Sequence, residues 1–512
     1  MAAIGRKTDT WGSRFGFIMA AVGSSVGLGN FWRFPFTAGE NGGGAFIVIY
    51  LACVVLFGLP VLMAEYGMGR KSGMSAIEGV HSLARAESKS QNWGFVGWVG
   101  SLAAFFILTF YMVISAWVIA FIPQAFSGGF SGFAADADLL QQNIGVAAES
   151  LKSTIASVDL ANCSFVEGGT VSQLFQDKVD EFGEVVIDPV TGVAEQVARE
   201  YRAGDLSGCR FESTIGNRGM ILACLFGFIA VNVIIIARGV KGGIERAATI
   251  LMPLFFILLL GIVGFALTNG DAAQAAAFLL QPDFSKVTFG TFLAAVGQAF
   301  FSIGVGSCLM ITYGAYLSRE TDIPRSSTIV ASADTMVALI AGFAIFPIVF
   351  AFGADPAGGP SLFFVSLPIA FGSEAMPMGY LIGGAFFTLA LFAALTSSIS
   401  LMEVGVSWLE ERQGVNRWGA ALGVGFVLFM IGAGYVYSAD YIDFADNVTG
   451  TIMLPLCGLL VAVFSGWVLS RDMLTSEFGE GTVMNLWRFA VRWVVPPAIG
   501  IILIFGVIDK YF

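Results

Sequence analysis

The sequence predicts an all-α membrane protein. It has eleven transmembrane helices, set as two five-helix repeats of inverted topology with an eleventh helix after them. Three observations lead there. The 512 residues are 56% hydrophobic and 12% charged, whereas soluble domains carry about 25% charged residues. Eleven apolar runs reach the roughly 20 residues that a helix needs to cross a bilayer. The first and sixth runs are interrupted by glycines and lie five spans apart, the pattern of a 5+5 inverted repeat with discontinuous helices 1 and 6.

In chain order, residues 1–13 are polar and the first apolar run lacks a small-residue cleavage pattern, so the first span is expected to stay as an anchor. The runs follow at about 14–37, 44–70, 94–124, 218–237, 242–268, 290–317, 327–353, 379–411, 416–437, 443–470 and 483–510. The third and eighth exceed what a span needs and are expected to tilt or protrude. The first repeat is 14–268, the second 290–470, and 483–512 holds the eleventh helix and the C-terminus.

Basic residues alternate between the loops. Arg6, Lys7 and Arg14 stand at the start, Arg70, Lys71, Arg85 and Lys89 after the second span, and Arg238, Lys241 and Arg246 after the fourth. Arg319 and Arg325 follow the sixth, and Arg412 and Arg417 the eighth. By the positive-inside rule the N-terminus is cytoplasmic and the C-terminus outside. The large loop 127–217 then faces outside. It holds 14 acidic and 5 basic residues. Its 139–158 and 170–203 parts are expected to form amphipathic helices. It also carries Cys163 and Cys209, the two cysteines outside the spans. A disulfide between them or two free thiols both fit.

The composition also excludes. His81 is the one histidine, so no histidine-based triad or zinc site is available, and no motif supports an enzyme. No basic run interleaved with aromatics suggests nucleic acid.

The two interrupted spans are the most informative. Gly23, Gly27 and Gly29 break the first, which also carries Asn30, Arg33 and Pro35. Gly304 and Gly306 break the sixth beside Gln298 and Ser302. Glycine-rich spans also serve as packing faces, but buried Asn and Arg are costly in lipid. Irregular backbone at membrane depth is tolerated where it lines a polar cavity. Each break frees carbonyls for a cation and a helix N-terminus for a carboxylate. Asp334 is one charge within an otherwise apolar span, a functional position by default. A carboxylate that is merely hydrogen-bonded in a helix interface is the alternative.

These residues resemble one family. The segments GLGNFWRFP (27–35), ENGGGAF (40–46), GIERAATILMP (243–253), GQAFFSIGVG (297–306) and LTSSIS (395–400) are similar to those of the neurotransmitter:sodium symporters. The similarity runs through the first ten spans and fits the family's bacterial eleven-helix branch. It implies two sodium sites and no organic cofactor. The first (Na1) would use the Ser25 carbonyl, the Asn30 side chain, Ser302, Asp334 and the substrate's own carboxylate. The second (Na2) would use the carbonyls of Gly23, Val26 and Ala393 with the hydroxyls of Thr396 and Ser397. Hydroxyls bonded back to their own helix are the bland reading of Thr396 and Ser397.

The resemblance also implies a substrate pocket lined by Ser25, Leu28, Gly29, Ile107, Tyr111, Phe301, Ser302, Gly304, Ser307, Ser397 and Leu401. Tyr111 would hold the substrate carboxylate. Gly27 stands where monoamine carriers of the family have Asp, so it would leave that space to the carboxylate of an amino acid or similar osmolyte. Gly304 and Ser307 are small, which implies a roomy, slightly polar side-chain pocket. Tyr50, Gln298 and Ser302 match positions that hold chloride in animal members. Asp334 would supply that negative charge itself, making transport chloride-independent, with protonation of Asp334 on the return step.

Arg33 and Asp446 match an outer gate, with Phe301 as a lid. The inner gate departs from the family pattern, since Thr8 replaces its Arg. A Lys7–Glu411 pair would substitute, although Lys is the poorer bidentate partner. Glu65 reads as a buried structural carboxylate near the first span. The expected function is sodium-coupled symport of an amino acid in a bacterial inner membrane, by a monomer or weak oligomer in the lipid bilayer. A sensor that binds an amino acid without transporting it is the alternative.

Overall fold

A computed structural model describes residues 9–131, 156–159, 164–167, 175–177, 196–198, 203–352, 356, 362–438 and 440–511. The helices are α1 (Arg14–Ser25), α2 (Gly29–Glu40), α3 (Gly44–Ser72), α4 (Ala76–Ala86) and α5 (Gln91–Phe126). After the strands β1 (Ala156–Asp159), β2 (Ser164–Glu167), β3 (Phe175–Asp177) and β4 (Gln196–Ala198) come α6 (Ala203–Gly216), α7 (Arg218–Ala237), α8 (Val240–Asn269) and α9 (Ala272–Leu280). Then follow α10 (Phe289–Ile303), α11 (Leu309–Gly314), α12 (Ile323–Ala351), α13 (Leu362–Phe371) and α14 (Gly379–Gln413). The last are α15 (Arg417–Tyr437), α16 (Tyr441–Val468), α17 (Arg471–Phe478) and α18 (Thr482–Gly506).

Among the described residues, nine helices are long and apolar enough to cross a membrane, or ten when the bent pair α1–α2 counts as one span. The sequence predicts eleven. The shortfall falls on the sixth run, which is split into α10 and α11, of 15 and 6 residues. Large apolar side chains such as Val55, Ile257, Leu260 and Phe426 are exposed on the spanning helices, as a lipid solvent requires.

The chain forms two units. The larger comprises 1–120, 218–359 and 385–512. In it, α1 and α2 meet at 46°. The chain leaves the helix at Val26, where φ is −72° and ψ 102°. None of Gly23, Gly27 or Gly29 has a positive φ. They are glycines because neighbours come close: a Cβ on Gly23 would lie 2.9 Å from Met252 Sδ, and one on Gly29 3.0 Å from the Phe301 ring.

The second break differs. Gly304 (φ 77°), Gly306 (φ 81°) and Cys308 (φ 55°) are all left-handed, so conformation itself ends α10. The orphaned N–H of Gly306 is met by Glu65 on α3, which accepts it on Oε1 at 2.7 Å. The same carboxylate lies against the backbone N–H groups of Met310 and Ile311 at the start of α11. Glu65, expected from sequence as a buried structural carboxylate, therefore caps the sixth-span break. Glycines let α3 and α11 touch backbone to backbone. A Cβ on Gly69 would overlap the Ile311 carbonyl, and one on Gly314 would lie 2.7 Å from the Tyr66 carbonyl.

The second unit comprises 121–217 and 360–384. Phe121, Phe211 and Phe364 cluster with ring centroids 5.3–6.2 Å apart. Ser207 Oγ donates to the Val365 carbonyl at 2.8 Å. The described parts of 139–158 and 170–203 do not form the amphipathic helices expected there, apart from Ala203, which opens α6. Residues 156–158 and 175–177 and 196–198 within them are strand. β1 pairs antiparallel with β2, and β3 with β4. Val158, Phe165, Val166, Phe175 and Val197 favour a pleated chain, and pairing outweighed the weak helical periodicity. The expected Cys163–Cys209 pairing involves Cys163, which lies outside the described residues.

The two left-handed glycines should differ in cost. Gly304→Ala carries the left-handed penalty of about 1–2 kcal/mol, with its Cβ meeting only Leu309 Cδ2 at 3.4 Å. Gly306→Ala adds an overlap with the Leu454 carbonyl of α16, which the backbone must move to relieve. Thermal unfolding of purified protein should place Gly306→Ala well below Gly304→Ala in stability; equal melting temperatures would refute this ranking.

Candidate functional site

The two breaks face each other. Ser25 Oγ donates to the Ile303 carbonyl at 3.0 Å, tying the end of α1 to the end of α10. Around this join, the loosened backbone groups are met by side chains. Gly27 N–H donates to Asn30 Oδ1 at 2.9 Å, Leu28 N–H to the Tyr111 hydroxyl at 3.1 Å, and Gln298 Nε2 to the Gly29 carbonyl at 3.1 Å.

Asn30 then links the break to Asp334. Its Nδ2 donates to Asp334 Oδ1 at 2.9 Å and lies 3.2 Å from Ser302 Oγ. Ser302 Oγ donates to Asp334 Oδ2 at 2.7 Å. All three side chains are buried. Tyr50 lies beside Ser302, Thr335 and Asp334, and buried Gln298 Oε1 makes no hydrogen bond. The sequence-selected residues Asn30, Tyr50, Gln298, Ser302 and Asp334 thus form one cluster drawn from α2, α3, α10 and α12.

A second cluster joins α1 to α14. Ser397 Oγ lies 3.3 Å from both the Gly23 and Val26 carbonyls. Thr396 Oγ1 bonds back to its own helix, 3.1 Å from the Phe392 and Ala393 carbonyls. Gly23 is next to it: a Cβ there would lie 3.1 Å from Thr396 Cβ. Both clusters are rich in oxygen atoms, which suit hard cations.

Between the clusters lies a cavity. Ser24, Ser25, Tyr111, Ser302, Ser307 and Ser397 give its polar wall, and Gly27, Gly29 and Gly304 its backbone surface. Ile107, Phe301, Leu309, Leu401 and Leu454 give the apolar wall. Ser307 Oγ is turned inward to its own backbone, donating to the Gly304 carbonyl at 2.6 Å. Two expectations change. Leu28 does not line the cavity; only its N–H faces Tyr111, and its side chain is buried elsewhere. Gly27 leaves no open space, since a Cβ there would lie 2.6 Å from Ser397 Oγ and 2.9 Å from the Tyr111 hydroxyl. Glycine lets those hydroxyls reach the backbone. Leu309 enters the wall through the fold of the sixth-span break and Leu454 from α16, and no sequence signal marks either.

The cavity is flanked at both ends. At one, Arg33 Nη1 lies 3.9 Å from Asp446 Oδ1, both partly exposed. The Arg33 guanidinium also sits 4.5 Å over the Phe301 ring, so Phe301 separates the pair from the cavity. At the other, Trp11 N–H and Nε1 donate to the Tyr316 and Tyr313 carbonyls, each at 3.3 Å. The Tyr313 hydroxyl is 2.6 Å from Ser400 Oγ. Tyr316 donates to buried Glu403 Oε1 at 2.6 Å, and Arg417 Nη2 lies 2.7 Å from Glu403 Oε2. Gly12 N–H and Ser13 Oγ donate to Glu245 at 2.6 and 2.9 Å. Of the expected inner pair, Lys7 lies outside the described residues, and Glu411 Oε2 accepts from Ser75 N–H at 2.7 Å. Glu245 and Glu403 went unselected, although acids within apolar runs are the same signal that singled out Asp334.

Known proteins match this arrangement along the whole chain. The model of the sodium:neurotransmitter symporter family matches residues 8–511. The crystal structure of MhsT in complex with L-phenylalanine superposes with a TM-score of 0.76 at 32% identity, covering 98% of this chain and 100% of that one. The uncharacterized sodium-dependent transporter YhdH of Bacillus subtilis is 31% identical, over 97% of each chain. A sodium-dependent nutrient amino acid transporter of Drosophila virilis is 25% identical, over 99% of this chain and 79% of its own. The chain therefore belongs to the sodium:neurotransmitter symporter family, whose members are multi-pass, sodium-coupled membrane transporters and not enzymes.

Proposed function

We propose that the protein is a symporter that drives uptake of an amino acid with an apolar or aromatic side chain by alternating access. The observation that carries this is the meeting of two helix breaks around one cavity, with an oxygen cluster on each flank. Sodium at the first cluster would take the Ser25 carbonyl, Asn30 Oδ1, Ser302 and Asp334, with the substrate carboxylate completing the shell. Tyr111 would bind the other side of that carboxylate. Sodium at the second would take the carbonyls of Gly23, Val26 and Ala393 with Thr396 and Ser397. The Thr396 hydroxyl would turn from its helix to do so.

The apolar wall of Ile107, Phe301, Leu309, Leu401 and Leu454 supports an apolar substrate side chain, as does the likeness to a protein crystallised with L-phenylalanine. Each sodium charge crossing about 100 mV supplies roughly 2.3 kcal/mol. Arg33, Asp446 and Phe301 would close the outer path and the Trp11 segment the inner one. The reading includes eleven spans in a 5+5 inverted repeat, a cytoplasmic N-terminus, an outside C-terminus and a bacterial inner membrane.

Four measurements test it. A thermal-shift screen of amino acids should find stabilisation by apolar and aromatic L-amino acids that needs Na⁺, about 2.7 kcal/mol at a hundredfold excess over Kd. In proteoliposomes the same compounds should accumulate down an imposed Na⁺ gradient; binding without accumulation would make the protein a sensor. Ser397→Ala should raise the half-saturating Na⁺ concentration about tenfold, for a lost interaction of about 1.4 kcal/mol. An unchanged Na⁺ dependence removes Ser397 from the site. Wild-type uptake should be equal in chloride and gluconate, whereas Asp334→Asn should lose uptake or come to need chloride. Chloride-requiring wild type, or a fully active and chloride-indifferent Asp334→Asn, overturns the role of Asp334.

A further inference from the structure

Cys53, Cys224, Cys308 and Cys457 are free thiols. Two of them meet. Cys308 Sγ and Cys457 Sγ are 3.7 Å apart, and each lies 3.7 Å from the Val96 carbonyl. Both are fully buried. Neither lines the cavity or belongs to an oxygen cluster.

Their setting is unusual. Cys308 stands at the start of α11 with φ 55° and ψ 9°. That conformation costs a residue with a Cβ about 1–2 kcal/mol. The other two left-handed positions of the same break are glycines, Gly304 and Gly306. The backbone here favours a bare Cα, yet it carries a thiol in contact with a second thiol. Close packing holds the two together. A Cβ on Gly100 of α5 would overlap Cys308 Sγ and lie 2.8 Å from Cys457 Sγ. A Cβ on Gly306 would overlap the Leu454 carbonyl, so the break already rests on the first turns of Cys457's own helix segment.

We propose that Cys308 and Cys457 form a reversible disulfide that arrests the protein. Closing the contact requires the sulfurs to approach from 3.7 Å to about 2.05 Å. Burial excludes bulky or charged thiol reagents, so the oxidant is a small neutral peroxide. One sulfur takes an oxygen from the peroxide, becoming a sulfenic acid and releasing water. The second sulfur attacks that sulfenic sulfur, and its hydroxyl leaves with the second thiol's proton as water. Two thiols lose two electrons and two hydrogens, and the peroxide is reduced to two waters. The new bond would staple the sixth-span break to α16. The arrest rests on the transport reading, because it needs the break to move in the cycle. The bond itself does not.

The test exposes reduced, reconstituted protein to hydrogen peroxide, blocks the remaining thiols, and reads both linked peptides by mass spectrometry and Na⁺-driven uptake. The expected result is a Cys308–Cys457 linked peptide whose yield tracks the loss of uptake, with dithiothreitol reversing both. Cys457→Ser and Cys308→Ser should each keep uptake and resist peroxide, and Cys224→Ser should remain sensitive. If Cys308→Ser folds poorly, Cys457→Ser gives the same comparison. Absence of the linked peptide overturns the pairing, whether or not uptake falls. A fully linked protein that still transports overturns the arrest and leaves the transport reading intact.

Discussion

Backbone that leaves a helix inside an apolar medium must find hydrogen-bond partners within the protein. The centre of this molecule follows from that demand. Gly27 N–H finds Asn30, Leu28 N–H finds Tyr111, Gly306 N–H finds Glu65, and the Gly29 carbonyl finds Gln298. The carbonyls of Gly23 and Val26 face Ser397. The polar side chains at membrane depth are thereby explained first as the partners of broken backbone. Under the proposed function, several of the same groups would serve a cation or a carboxylate by exchanging one partner for another, which would keep the cost of binding low.

The two ends of the cavity differ in how hard they are to part. Arg33 and Asp446 are 3.9 Å apart and partly exposed, and such pairs contribute about 0–1 kcal/mol. The Trp11 end is held by two backbone carbonyls and aromatic contacts with Tyr313 and Tyr316. Behind them stands Glu403, buried and shared between Tyr316 and Arg417. Breaking a buried pair leaves an uncompensated charge and costs several kcal/mol. In this form the Arg33 end is the looser of the two.

The sequence was most legible where chemistry conflicts with surroundings. Glycines, Asn30 and Asp334 have no use facing lipid, and they marked the breaks and one whole cluster. It was less legible where a role depends on what another segment brings. Leu309 looks like any span residue until the sixth-span break folds it inward, and Leu454 until α16 packs against the cavity. Leu28 sits within the most telling motif, yet only its N–H faces the site. Glu65 reads in the sequence as a buried carboxylate without a named partner, because its distance along the chain says nothing of the 2.7 Å bond to Gly306. The strands at 156–159 and 175–177 misled the reading, since short polar segments carry little periodicity and pairing decides between helix and strand.

The backbone contact between α3 and α11 has a mechanical consequence. Gly69 against Ile311, and Gly314 against Tyr66, leave no side chain between the two helices to act as a lubricant. Close-packed contacts of this kind have discrete arrangements and do not slide smoothly. The far half of the sixth span is therefore packed tightly on α3, and the non-helical backbone of the span is the five residues from Gly304 to Cys308. That contact makes α3 and α11 a stiff pair, and a label on each would give a short reference distance beside the break.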